Sequence, residues 1–240
     1  MSPDPTYHAL LQACQQPDCP VCTVALSAVT QYLRSLMYES VNDVPLREHL
    51  RASLGFCSRH NWLLLDSEVG NALGIAIIYN DVLTNILRNL PNGSSSNERG
   101  GVGAFFNRVA GKLSEKAKAA VQAIIPPKPC PACVQQQEAD EMTVKVFVQK
   151  LGEEKMRLAF SQSAGLCLPH LRQVLPAISN PADLDFLLKV QSEKLAALQG
   201  ELAEFIRKND YHFQHEGFGA ERDAWKRVIN LVAGKPDFMA

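Results

Sequence analysis

The feature that most constrains the fold of this chain is a pattern of cysteine and histidine that occurs twice. Each copy has a CPxC pair followed by a GxCxxH motif, and 34 residues in the first copy and 33 in the second separate the last cysteine of the pair from the cysteine of the motif. The motif residues are Cys19, Cys22, Cys57 and His60 in the first copy and Cys130, Cys133, Cys167 and His170 in the second. Three thiolates and one imidazole complete a tetrahedral zinc shell. The sequence therefore predicts two Cys3His sites and two zinc ions per chain.

The spacing between the two copies indicates how the chain is divided. Cys19 and Cys130 are 111 positions apart, and His60 and His170 are 110 positions apart, in a chain of 240 residues. Three prolines at positions 126–129 mark the join, because proline cannot continue a helix. We therefore expect two domains, with residues 1–125 as a first helical zinc-binding repeat and residues 126–240 as a second.

Helical periodicity predicts an all-α fold. Apolar residues follow each CPxC pair at spacings of three and four, so each pair is expected to open a helix. Each CxxH motif is also expected at a helix start, after Gly55 or Gly165, so that its cysteine and histidine share one face of the first turn. In the second half, Asn180 is expected to cap a long helix that begins with Pro181. The expected fold is an internally duplicated helical bundle with two pseudo-symmetric halves, each with a Cys3His metal site.

Each half is expected to end with a loop and a final helix. In the first half, composition predicts a flexible loop at residues 91–103 and a helix from about residue 104 to residue 125. The corresponding segments of the second half are a loop at residues 209–219 and a helix at residues 220–233.

The pairing of the ligands has two possible forms. We expect each site to form within one half, because that arrangement closes the same loop twice. The competing arrangement exchanges the halves, so that Cys19 and Cys22 join Cys167 and His170.

Two other chemistries can use the same cysteines. The spacing of Cys14, Cys19 and Cys22, with Cys57 further on, approximates a plant-type [2Fe-2S] pattern. Ile125, however, stands where the second half would need the counterpart of Cys14. An iron-sulfur cluster held by three cysteines and one histidine stays open. Thiol redox chemistry at a CPxC pair is also open, although thioredoxin-like motifs lie at strand-to-helix turns and no strand is predicted. An iron-sulfur or thiol redox and electron-transfer protein is therefore the alternative function.

Composition and charge bear on partners and location. Hydrophobic residues make up 46% and charged residues 20%, as in soluble globular proteins. The net charge of -1 does not favour nucleic-acid binding, and no apolar stretch is long enough to span a bilayer. The N-terminal residues lack the basic and apolar regions of a secretory signal, and the unpaired seventh cysteine, Cys14, fits a reducing compartment. We therefore expect a cytoplasmic protein.

The motifs favour a structural role over catalysis. The sequence contains no phosphate-binding loop, dinucleotide-binding fingerprint or serine nucleophile elbow. A zinc site closed by four protein ligands has no open position for water. The chain resembles an uncharacterised prokaryotic family of unknown function with paired CPxC and GxCxxH motifs, and this resemblance implies no activity. The sequence therefore predicts a metal-binding scaffold or interaction module whose partner is another protein.

Overall fold

The computed structural model describes residues 4–66, 69–91 and 114–235. Within these ranges the chain forms eleven α-helices and no strand, which confirms the predicted all-α fold. The helices are α1 Pro5–Ala13, α2 Pro20–Glu39, α3 Val44–Ala52, α4 Ser58–Leu63, α5 Ala72–Asn89, α6 Glu115–Ala123, α7 Pro131–Lys150, α8 Glu154–Gln162, α9 Leu168–Val174, α10 Pro181–Lys208 and α11 Ala224–Ala233. Three short 3-10 helices are Leu175–Ala177, Gln214–Glu216 and Ala220–Asp223. Residues 92–103 of the expected loop and residues 104–113 of the helix expected from residue 104 lie outside the described residues.

Side-chain caps explain where several helices begin. Asp43, Asn71 and Asn180 each accept a hydrogen bond from a backbone N–H in the first turn of α3, α5 and α10. Such a cap contributes about 1 kcal/mol because it satisfies an N–H that has no partner within the helix. Pro181 follows Asn180 at the first position of α10, as the sequence predicts.

The two CPxC motifs open two helices of equal length. Both α2 and α7 begin at the proline of the motif and run for 20 residues. Proline suits this position because the first N–H groups of a helix have no intrahelical acceptor. The first cysteine of each motif therefore immediately precedes the helix, and the second lies in its first turn.

The chain divides into two compact units that differ from the two halves of the repeat. One unit combines Met1–Val29 with Gln135–Ala240, and the other is Thr30–Val134. The boundaries between the units fall inside α2 and α7. The first CPxC motif thus belongs to the same unit as the second CxxH motif. The division at residue 125 and the internal duplication stay predictions from the sequence.

The discontinuous unit has its core around two phenylalanines. The rings of Phe147 and Phe160 meet edge to face with their centroids 5.2 Å apart, a favoured aromatic geometry. Leu151, Met156 and Leu187 are fully buried in the same cluster. Cysteines of the motifs are also part of this apolar cluster, so the predicted ligands of this unit lie in its core.

The continuous unit is held by apolar packing and by a bifurcated ion pair. Leu50 of α3 and Ile78 of α5 are buried. Arg47 and Arg51 both contact Asp81 of α5, with nitrogen to oxygen distances of 3.0 and 2.6 Å. These contacts fix α3 against α5, close to the turn that carries the first CxxH motif.

Candidate metal centre

The structure gathers the eight motif residues into two groups of four. The first cluster is Cys19, Cys22, Cys167 and His170, and the second cluster is Cys57, His60, Cys130 and Cys133. Within each cluster the ligand atoms all lie within 4.8 Å of one another. The CPxC pair of each half therefore groups with the CxxH motif of the other half. The expectation that each site forms within one half was wrong. Each cluster lies within a single compact unit, because the unit boundaries separate the first CPxC motif from its own CxxH motif.

The first cluster is compact and buried. His170 Nδ1 lies 3.4 Å from the sulfur of Cys19, 3.3 Å from that of Cys22 and 3.1 Å from that of Cys167. The sulfur atoms of Cys22 and Cys167 are 3.6 Å apart. All four residues are buried, so a bound ion would be enclosed by protein.

The second cluster repeats this geometry with two partly exposed cysteines. His60 Nδ1 lies 3.2 Å from the sulfur of Cys57, 3.6 Å from that of Cys130 and 3.4 Å from that of Cys133. The sulfur atoms of Cys57 and Cys133 are 3.5 Å apart. His60 and Cys130 are buried, whereas Cys57 and Cys133 are partly exposed.

These distances fit a single tetrahedral ion. Zinc bonds of about 2.3 Å to sulfur and 2.0 Å to nitrogen place tetrahedral ligands about 3.8 Å apart for two sulfurs and about 3.5 Å apart for sulfur and nitrogen. The observed sulfur pairs, at 3.6 and 3.5 Å, and the sulfur to nitrogen distances of 3.1 to 3.6 Å lie close to these values. Both clusters can therefore hold a metal ion.

The GxCxxH motif builds the same turn in both clusters. Cys57 and Cys167 are the N-cap residues of α4 and α9, which places each histidine in the first helical turn, as predicted. Gly55 and Gly165 precede them with φ angles of 90° and 82°, in the left-handed region that favours glycine. The positive φ turns the chain so that the cysteine two residues later reaches the cluster.

A side chain from the following long helix ties down each of these turns. Gln191 of α10 accepts a hydrogen bond from the backbone N–H of Leu166 and donates one to its carbonyl, both at 2.9 Å. In the other unit the backbone N–H of Phe56 donates to the hydroxyl of Tyr79 of α5 at 3.4 Å. Glycine is also needed here for space, since a β-carbon at Gly55 would lie 2.8 Å from the Tyr79 ring.

A family comparison agrees with the motif pattern. A model described as a family of unknown function (DUF6062) matches residues 9–238. The chain belongs to this family. A relative from Caldicellulosiruptor sp. (strain Rt8B.4), described as "Uncharacterized 23.9 kDa protein in xynA 3'region", is 27% identical over 218 residues, which cover 90% of this chain and 95% of the relative. No solved structure matches the chain.

The first cluster of this DUF6062 chain contains a carboxylate that the motif analysis missed. Asp140 Oδ1 lies 2.6 Å from His170 Nε2, and both side chains are buried. Because His170 Nδ1 faces the sulfurs, its Nε2–H donates to Asp140. Such a carboxylate fixes the orientation and tautomer of a metal-binding histidine. A signal was present, since Asp140 stands four residues before Val144 on the apolar face of α7, where an unpartnered carboxylate would be costly.

Replacing this carboxylate should weaken the first site selectively. Asp140→Asn keeps the shape of the side chain but removes the charge that supports His170. We expect the zinc affinity of the first cluster to fall about tenfold or more, the usual effect of losing such a partner. Competition with a chromogenic zinc chelator measures this change. Glu141→Gln, at an exposed carboxylate on the same helix, is the matched control, and equal affinities for the two variants would contradict the role of Asp140.

The electrostatics of both clusters favour a bound cation. Hydrogen bonds from the Cys19 and Cys22 thiols lower the pKa of Cys167 to about 4, and the contact with Cys167 raises the pKa of Cys22. In the second cluster, burial raises the pKa of Cys133 to about 12. Without a cation, each cluster thus favours a state in which one of its three cysteines is ionised and the other two keep their protons. A divalent ion removes this conflict, because coordination deprotonates the thiols.

His170 carries a related charge effect. Burial lowers its pKa, but the contacts with Asp140 and Cys19 outweigh burial and raise the pKa to about 9. The imidazole is therefore held by negative charge on both of its nitrogen atoms. A metal ion at Nδ1 would take the place of the proton there and leave the Nε2–H bond to Asp140 intact.

The remaining cysteine is not part of either cluster. Cys14 is buried, and burial together with the charge of Cys19 raises its pKa to about 12. Cys57 lies in the second cluster with Cys130, so the spacing from Cys14 through Cys22 to Cys57 does not form one ligand group.

Among the described residues, no helix combines the length and apolar character needed to cross a membrane.

Proposed function

We propose that this protein binds two zinc ions at structural Cys3His sites and acts as a scaffold or protein-interaction module. The observation that carries the proposal is the pair of clusters with four ligand atoms at tetrahedral distances. A catalytic zinc keeps one coordination position for water or substrate, whereas a structural zinc has four protein ligands. Four ligands in each cluster support the structural role.

The ligand distances also support zinc over the iron-sulfur alternative. In a cluster of several irons the ligands bind different metal atoms, so their sulfur atoms lie farther apart than the ligands of one ion. Here all ligand atoms of a cluster lie within 4.8 Å of one another. Thiolate and imidazole ligands in tetrahedral geometry suit zinc. The iron-sulfur or thiol redox function is the second candidate, and it uses the same cysteines.

The surface supports a protein partner. Trp225, Ile229 and Val232 are exposed on α11 at the i, i+4, i+7 spacing of a helix face. Apolar helix faces of this kind bind other proteins through such anchor residues. The net charge of -1 gives no general attraction for nucleic acid. We place the protein in the cytoplasm, where free cysteines stay reduced and available to zinc.

Metal analysis after anaerobic purification tests this proposal directly. We expect two zinc ions per chain and a colourless solution, because zinc has a filled d shell. Iron and sulfide in a brown solution would establish the second candidate instead. Protein that contains neither metal and binds no added zinc would reject both.

A further inference from the structure

The cysteine residues of the two clusters are exposed to solvent to different extents. In the first cluster Cys19 is 8% exposed and Cys167 1% exposed. In the second cluster Cys57 and Cys133 are both partly exposed. Oxidants in solution react more readily with exposed thiolates than with buried ones. The second cluster is therefore the one that a reagent in solution meets first.

The two partly exposed cysteines of the second cluster are also placed to react with each other. Cys57 Sγ and Cys133 Sγ are 3.5 Å apart and come from different motifs. A disulfide bond is about 2.05 Å long, so the sulfurs need to approach by about 1.5 Å to form one. That movement is incompatible with shared coordination of an ion, so a disulfide here and a metal at this cluster exclude each other.

We propose that the second cluster is an oxidation site at which hydroperoxides convert Cys57 and Cys133 into a disulfide and release the zinc ion. The first cluster keeps its ion under the same conditions. This inference rests on the proposed zinc binding and adds a different role for each site: the first is a permanent structural centre, and the second is reversible and responds to oxidants.

The chemistry balances with one peroxide for each zinc released. A Cys57 thiolate attacks the O–O bond, which forms a sulfenic acid and expels hydroxide or alkoxide. The Cys133 thiolate then attacks the Cys57 sulfur, so that the S–S bond forms, the S–O bond breaks and hydroxide leaves. The two thiolates lose two electrons, the peroxide gains them, and the two expelled oxygen anions take two protons from the buffer. A zinc ion at this cluster would then keep only Cys130 and His60 as protein ligands and would be released.

Two features protect the first cluster. Its ligands lie within the apolar core of their unit, and Asp140 supports His170 through a buried hydrogen bond. A cavity of about 190 Å³ does adjoin Cys19 and Cys167. It offers a peroxide a competing route, but the low exposure of both residues leaves their sulfurs little open surface.

Stepwise oxidation of the zinc-loaded protein tests the inference. Hydrogen peroxide is added in increments, released zinc is followed with a chromogenic chelator, and the cysteines are then mapped by alkylation and mass spectrometry. We expect one zinc per chain to leave at least tenfold faster than the other, together with a Cys57–Cys133 disulfide. Cys19, Cys22 and Cys167 should stay reduced during this phase, and a thiol reductant with added zinc should restore the second ion.

Two variants sharpen the result. Cys14→Ala removes the cysteine outside both clusters and should leave the release unchanged. Cys133→His replaces one partner of the disulfide with another zinc-binding side chain, so zinc held at the second cluster of this variant should no longer leave rapidly. Simultaneous loss of both ions, earlier oxidation of Cys19 or Cys167, a Cys130–Cys133 disulfide, or retention of both ions would overturn the inference. The zinc content before peroxide is added tests the proposed function separately, because protein without zinc fails at that step.

Discussion

Removal of both metal ions is expected to unfold the protein at room temperature. Structural zinc sites contribute apparent binding free energies of about 10 kcal/mol or more, and this energy is part of the folding free energy. Typical proteins are stable by only about 5 to 15 kcal/mol in total. The free energy lost with two such sites is therefore larger than the whole folding stability of a typical protein.

The position of the clusters strengthens this expectation. The first cluster ties Cys22 to Cys167, 145 residues apart, and the second ties Cys57 to Cys133, 76 residues apart. Each tie joins segments that are distant in the chain, so its loss releases a long loop in the partly unfolded protein. In the first cluster the loss also leaves three thiols and an imidazole inside an apolar core, without the ion that would balance the charge of the thiolates.

Circular dichroism after treatment with a high-affinity zinc chelator measures the effect. We expect the far-ultraviolet helical signal to fall sharply and the cooperative thermal transition to disappear. The same chelator already saturated with zinc is the control, and added zinc in the presence of a reductant should restore the signal. A metal-free protein with an unchanged helical signal and melting temperature would show that the clusters do not carry the fold.

The sequence predicted the parts of each site that depend on local chain geometry. A CPxC pair opens α2 and α7, and a CxxH motif begins α4 and α9, because proline and N-cap positions act within one helical turn. The positive φ of Gly55 and Gly165 belongs to the same local pattern. These features need no knowledge of distant contacts, so the eight residues that gather in the two clusters could be singled out without a structure.

The pairing of the motifs could not be predicted in this way. Within one half, Cys22 and Cys57 are 35 positions apart in the sequence, whereas the observed partners Cys22 and Cys167 are 145 positions apart. The difference in loop-closure entropy is only about 1.2 kcal/mol for two doublings of loop length. This is small beside the metal-binding energy of about 10 kcal/mol, so the packing of the compact units decides the pairing.

The buried polar partners were missed for a related reason. Asp140 and Gln191 lie on buried helix faces, and spacing alone does not show what they contact. In the structure Asp140 binds His170 and Gln191 binds the backbone of Leu166. A polar residue within an apolar stripe is thus a useful indication of a buried hydrogen-bond partner, but its identity depends on tertiary packing.

Substitution of a single ligand should remove one zinc ion and show which motifs share a site. Cys57→Ser leaves three ligands in the second cluster, so we expect the protein to bind one zinc ion instead of two. Cys130 and Cys133 should then react with iodoacetamide, because they have lost the metal that protected them. Cys19 and Cys22 should stay protected, since the structure places them in the other cluster. Mass spectrometry of the alkylated peptides measures both outcomes.

The equivalent substitution in the other motif provides the matched test. Cys167→Ser should expose Cys19 and Cys22 to iodoacetamide and leave Cys130 and Cys133 protected, the reverse of the first pattern. Cys167 is buried, so this variant is also expected to lose more stability than Cys57→Ser, whose side chain is partly exposed. Pairing within each half predicts the opposite assignments for both variants. If Cys57→Ser exposes Cys19 and Cys22 while the second CPxC pair stays protected, the exchanged arrangement is wrong. The observed distances lead us to expect that each substitution exposes the CPxC pair of the other half.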